Sequence, residues 1–140
     1  MKRPVSPLPQ RNGLDAARLR LPVDGTWATV RDHLVQRLHR LEPAYVDEMI
    51  TAGRFVTATG AVTTDTPYVP GEFVWFHRDL PDEVPVPFDI GIVYRDDDLV
   101  VADKPHFLAT IPRGKHVMQT ALVRLRDELG LPELSPVHRL

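Results

Sequence analysis

Cysteine is absent from all 140 residues. Without thiols the chain forms no disulfide, offers no thiolate nucleophile and holds no thiolate-bound zinc or iron–sulfur cluster, which excludes thiol redox chemistry and a zinc-ribbon fold. A reducing cytoplasm is the expected location. Also missing is any apolar run long enough to cross a bilayer, so no membrane partner is expected. The first ten residues, Met1 to Gln10, are basic and proline-rich without the apolar centre of a signal peptide. No repeat of solenoid length, Gly-rich phosphate loop or nucleophile elbow is visible. Six histidines are scattered with no pair at ligand spacing backed by an acidic third ligand, so no metal is expected. What is present, 43% apolar residues with 14 Pro and 8 Gly, suits one ordinary domain, or a small domain plus a piece of another.

The net charge of −2 hides an uneven distribution. Residues 1–41 carry +5, residues 42–103 carry −10 and residues 104–140 carry +3. Such asymmetry fits two polyanion-facing ends around an acidic middle, and equally a chance distribution of surface charge.

Val30, Leu34, Leu38 and Leu41, widened by Trp27 and Val35, recur at helical spacing, with Thr26 placed to cap the helix. Glu42-Pro43 breaks this helix and starts a second one, whose apolar face is Val46, Met49 and Ile50 and whose end is marked by Gly53. Beyond it the period changes to β. Residues 55–58 and 61–64 flank Thr59-Gly60, and Phe73-Val74-Trp75-Phe76 reads as a later strand. Residues 22–80 thus form a small two-helix domain with an antiparallel hairpin, preceded by a basic, proline-rich segment at 1–21. Residues 81–89, with Pro81, Pro85 and Pro87, have the composition of a stiff linker. In 90–140 two strands, Ile90 to Tyr94 and Leu99 to Ala102, flank an acidic turn. A helix through Met118, Leu122, Leu125 and Leu129 then closes at Gly130. The fold class is α+β.

Arg31, Arg37 and Arg40 lie mainly off the apolar stripe of the first helix, and Arg54 follows the second. Together they suit a polyanion such as a phosphate backbone; a solvated helix face is the plain alternative. The helix pair does not suit a DNA-reading helix-turn-helix, because Asp47 and Glu48 on the second helix repel phosphate. Asp96, Asp97 and Asp98 are too close in sequence to converge on one hard cation, and turn chemistry accounts for them.

The run from Ile92 through Arg95-Asp96-Asp97-Asp98 to Asp103-Lys104-Pro105 closely resembles the opening motif of the RluA-type RNA pseudouridine synthase family. Pro136-Val137-His138-Arg139-Leu140 resembles the beginning of that family's His-Arg-Leu-Asp active-site motif, with the catalytic Asp due at the next position. The two motifs occur in the family's order with one helix between them. Residues 22–78 are similar, more loosely, to the S-four-like RNA-binding domain that precedes many such catalytic domains, through the helix pair, Gly53-Arg54-Phe55-Val56 and the following hairpin.

The resemblance implies a mixed-sheet catalytic domain beginning at residue 90 and isomerisation of uridine to pseudouridine in rRNA or tRNA, with no cofactor or metal. It implies that Arg139 takes part in the rearrangement of the flipped base, where a planar guanidinium can stack and pair with phosphate at once. His138 then orients the loop rather than moving a proton, and Leu140 is the motif's third residue, before the Asp. Lys104 and Pro105 are implied to be architectural. Arg113 and Lys115 are candidate phosphate contacts or plain loop cations. Since the motif's Asp is not among the 140 residues, the expectation is a fragment without turnover. The alternative is a non-catalytic RNA-binding remnant.

Overall fold

The first helix starts where its backbone donors find partners, three residues later than the apolar spacing suggests. In the computed structural model of the protein, which describes residues 2–140, Thr29 caps helix α1 (Val30–Arg37), its hydroxyl accepting from the Asp32 N–H at 3.2 Å. Residues 28–30 are held extended against 66–68: Tyr68 N–H donates to Ala28 O and Val30 N–H to Thr66 O. These tertiary bonds prevent Thr26 from serving as the cap. Helix α2 (Pro43–Thr51) has Pro43 in its first turn, where its missing N–H costs nothing. It ends as its sequence predicts. Gly53 is left-handed (φ +72°), Gly53 N–H bonds Ile50 O and Arg54 N–H bonds Met49 O, satisfying two of the last carbonyls.

The described residues divide into two compact units, 2–9 with Asp15–Asp79, and Gln10–Leu14 with Leu80–Leu140. In the first, strands β1 (Ala17–Arg20), β2 (Val56–Thr57), β3 (Gly60–Ala61) and β4 (Phe73–Phe76) form one sheet in the order β1-β4-β2-β3. All three pairings are antiparallel, with Ala17 opposite Phe76 and Arg20 opposite Phe73. Strand β1 lies in the segment read from composition as basic and proline-rich. The hairpin is shorter than its β-rich sequence suggests, because Thr63 and Thr66 turn their hydroxyls onto the backbone and each other and end the ladder. Alternation along β1 and β4 sends Ala17, Leu19, Val74 and Phe76 to the core, which they share with Val30, Leu34, Val46, Met49, Ile50 and Phe55.

The second unit holds the hairpin of β5 (Gly91–Arg95) and β6 (Val100–Asp103), with a bulge at Val93, and helix α3 (Ala121–Leu129). Asp96 makes the turn: one carboxylate oxygen accepts from the Asp98 and Leu99 N–H groups and the other from the Tyr94 hydroxyl. Helix α3 is capped by Thr120 and ended by left-handed Gly130. Its core is small: Ile90, Leu108, Ala121 and Leu125.

Two features of this unit have no counterpart in the apolar pattern. Within 81–89, whose composition is that of a linker, Glu83 accepts from the N–H groups of Val117 (3.0 Å), Met118 (2.6 Å) and Gln119 (3.2 Å), and Val86 N–H donates to the Gln119 side chain. Gln10–Leu14 lies along α3. Gln10 Nε2 donates to Pro132 O, Arg126 donates to Gly13 O, and a Cβ at Gly13 (φ +81°) would collide with Val123 O.

Candidate functional site

The candidate residues fall in both units, and each unit arranges its own set. In the first, the antiparallel placement of α1 and α2 brings Arg31 onto Asp47 as a two-pronged pair, Nε to Oδ1 at 2.8 Å and Nη2 to Oδ2 at 2.9 Å. Hydrogen bonds from Arg31 hold the Asp47 carboxyl below its ordinary pKa. Arg54 donates to both Asp79 oxygens at 3.0 Å and to His77 O at 2.9 Å, and Tyr45 bonds the same Asp79. Arg31 and Arg54 therefore fasten the unit together, and the candidate cationic face contracts to Arg37 and Arg40. Both are exposed at the turn between the helices, where they line an open concavity of about 260 Å³ with Leu38, His39 and Leu41.

Arg18 and Arg20 on β1 add two exposed cations that sequence reasoning passed over, standing 5.2 Å and 5.8 Å from the Phe73 ring centroid. The alternation Ala17-Arg18-Leu19-Arg20, apolar in and cationic out, was the available signal.

In the second unit the loop that follows the Lys104-Pro105 turn reaches the His138-Arg139-Leu140 segment through Thr110. Lys104 Nζ donates to Leu108 O at 2.7 Å and closes the turn, an architectural use of its charge. From there the chain runs to Thr110, whose carbonyl accepts from Leu122 N–H in the first turn of α3 and whose hydroxyl donates to Leu140 O at 3.0 Å. Leu140 N–H in turn approaches His138 Nδ1 at 3.4 Å, a local brace for the segment. Arg139 is exposed. Arg113 and Lys115 stand on a tight turn closed by Arg113 N–H to His116 O and its reciprocal bond, with left-handed Gly114 between them. Among the described residues neither Arg113 nor Lys115 pairs with a carboxylate, and both are exposed.

Comparison with known proteins bears on these motifs. Over 109 residues, 78% of its length, the chain is 30% identical to an uncharacterized RNA pseudouridine synthase of Synechocystis sp.. Over 74 residues, 51% of its length, it is 32% identical to RNA pseudouridine synthase 5 of Oryza sativa subsp. japonica. These similarities to RNA pseudouridine synthases support the resemblance to the RluA-type family that the motifs carry. The matches span 38% of the first relative and 18% of the second, so the chain covers well under half of either. No protein-family model matches it.

A further feature of the second unit that its sequence did not announce is Phe107. It occupies the Lys104–Leu108 turn in a left-handed conformation (φ +66°) and is 94% exposed.

Proposed function

We propose that this chain is the RNA-recognising and opening catalytic part of a synthase that isomerises uridine to pseudouridine in rRNA or tRNA. The reaction breaks the N-glycosidic bond, turns the uracil and joins its C5 to the ribose C1′; the C5 proton is lost and N1 gains one, so no cofactor or metal is needed for balance. The observation that carries the reading is the Thr110–Leu140 bond, which draws the His138-Arg139-Leu140 segment onto the loop after Lys104-Pro105 from 30 residues away. This contact supports reading the two segments as parts of one active-site loop system.

The roles follow from that placement. The exposed Arg139 guanidinium can stack on an extruded uracil and pair with its phosphate. His138 orients the segment through its ring nitrogen. Arg113 and Lys115, neither of them paired with a carboxylate among the described residues, hold backbone phosphates, and Arg37 and Arg40 do the same on the first unit. In the family's motif the nucleophile is the Asp that follows the His-Arg-Leu run, which in this chain is His138-Arg139-Leu140.

Anisotropy of labelled rRNA and tRNA fragments tests the reading. The expected result is binding that weakens steeply with salt, with Arg37→Ala/Arg40→Ala lowering the salt slope by about 1.4 on single strands. Salt-insensitive binding, or none, overturns it.

A further inference from the structure

The Pro105–Leu108 turn, closed by Leu108 N–H to Pro105 O, places a residue with φ > 0 at its third position, where glycine is the usual occupant because a Cβ is strained there. Six glycines supply positive φ elsewhere, and Asn12, a residue type that tolerates it, supplies one more. Phe107 is the one bulky side chain among the described residues in this conformation. It gains no burial in return: Leu108 beside it is buried, while the Phe107 ring is 94% exposed. Two separate costs, backbone strain and a bare aromatic ring, thus coincide at one residue of the loop that also holds the Arg139 segment through Thr110.

The surroundings of the ring indicate its partner. Residues 104–116 contain Lys104, Arg113, Lys115, His106 and His116 and no Asp or Glu. A protein partner would be met by contiguous apolar surface, as the β5–β6 hairpin offers with Ile92, Val93 and Tyr94, not by one ring among cations. An exposed aromatic ring in a segment rich in cations is instead what a single-stranded nucleic acid engages, its base stacking on the ring and its phosphates meeting the charges.

We propose that Phe107 is a base-stacking residue for RNA, fixed outward by the strained turn so that a nucleobase lies on its ring while Arg113 and Lys115 meet the flanking phosphates. The assignment rests on the RNA-directed reading above and adds to it a specific contact. Stacking on a ring already held in place avoids the entropy of ordering a flexible side chain.

The test uses the 140-residue chain and a fluorescein-labelled oligouridylate. Phe107→Ala is expected to weaken binding about tenfold without changing the salt slope, because stacking releases no counterions. Phe107→Trp is expected to stay within about twofold of the parent. Phe107→Gly is the informative partner: it relieves the turn, so its melting temperature should equal or exceed the parent's while its affinity falls as for Ala. An oligouridylate carrying 5-iodouridine should crosslink to the peptide containing Phe107. If Phe107→Ala binds like the parent while Arg37→Ala/Arg40→Ala binds weakly, the stacking role is wrong and the RNA reading stands. If Phe107→Ala is weakened and the Arg pair is not, the stacking role stands and the α1–α2 contact falls. A parent chain that binds no RNA overturns both.

Discussion

Strands β4 and β5 are both rich in large apolar side chains, yet their fates differ. In β4, Val74, Trp75 and Phe76 are all buried, Val74 and Phe76 beneath the helix pair. In β5 every residue is exposed, and Ile92, Val93 and Tyr94 join Leu99 and Val101 in an uncovered patch. The difference lies in the layer each sheet has been given. Two helices supply the first unit with a core of ten buried residues, whereas one helix and a loop give the second a core of four. Strand formation is a local matter of propensity and turn chemistry, but stability needs a second layer to take the apolar face out of water. A hairpin in this state has its shape before it has its cover.

The contrast predicts unequal sensitivity to mutation. Phe55 is fully buried with its ring centroid 4.9 Å from that of Phe76, and Phe55→Ala is expected to cost about 3–5 kcal/mol of first-unit stability. Val101→Thr, on the open hairpin, should lie within about 0.5 kcal/mol of the parent. Both tryptophans, Trp27 and Trp75, lie in the first unit, so urea melts followed by tryptophan fluorescence read that unit selectively. Amide exchange should likewise find β4 far better protected than β5. Equal protection would mean that the hairpin is covered in solution, by a second copy for example, and would dissolve the comparison.

The second unit makes up part of its deficit with polar clips, and these can be cut singly. Burial pushes the Glu83 carboxyl pKa up, but the N–H groups of Met118, Gln119 and Val117, with the nearby charge of His116, outweigh it and hold the net value down. Glu83→Ala leaves three N–H groups without their acceptor and is expected to cost about 2–3 kcal/mol, seen as faster exchange in α3 with the tryptophan signal unchanged. Somewhat smaller, roughly 1–3 kcal/mol, is the expected effect of Gly13→Ala, which forces a side chain into left-handed backbone against the Val123 carbonyl. Its loss should fall on α3 and not on the nearby β1. A first-unit melting shift of equal size would show that residues 10–14 do not act on α3 separately.

These clips mark the boundary of what the sequence discloses. The Pro43 start and Gly53 end of α2, the span of β4, the Asp96 turn and the Gly130 stop were all legible, because each is fixed by chemistry within a few residues of itself. Strand β1 was not, since its four residues become a strand only through pairing with β4 over fifty residues away. Nor was the Glu83 clip, which joins a proline-rich stretch to N–H groups 34 to 36 residues on. Arg31 and Arg54 looked like free cations because their carboxylates come from other elements. For the site, Lys104-Pro105 and His138-Arg139-Leu140 could be read as motifs, while Phe107 could not be found: a left-handed phenylalanine has no signature in a string of letters.

The smallest expected effect separates the units by pH. His33 is 3% exposed, with neither ring nitrogen hydrogen-bonded, and is enclosed by Trp27 at 4.4 Å and Tyr68 at 5.8 Å between ring centroids. Burial, seconded by the charge of Arg37, lowers its pKa below the usual 6.5. The unfolded chain therefore takes up a proton near pH 6.5 that the folded unit resists. The contribution of neutral His33 is complete above that pH and is lost as pH falls from it towards the folded value. Glu83 has the corresponding behaviour lower on the scale: its contribution is complete above the ordinary carboxyl value of 4.5 and is lost as pH falls through its depressed folded value. Acidification should thus begin to loosen the first unit before it touches the clip of the second. Melting temperatures from tryptophan fluorescence, taken between pH 8 and pH 5, should decline in the parent and stay level in His33→Phe, which keeps the ring packing without the proton site. A decline that persists in His33→Phe would assign the acid sensitivity to another group.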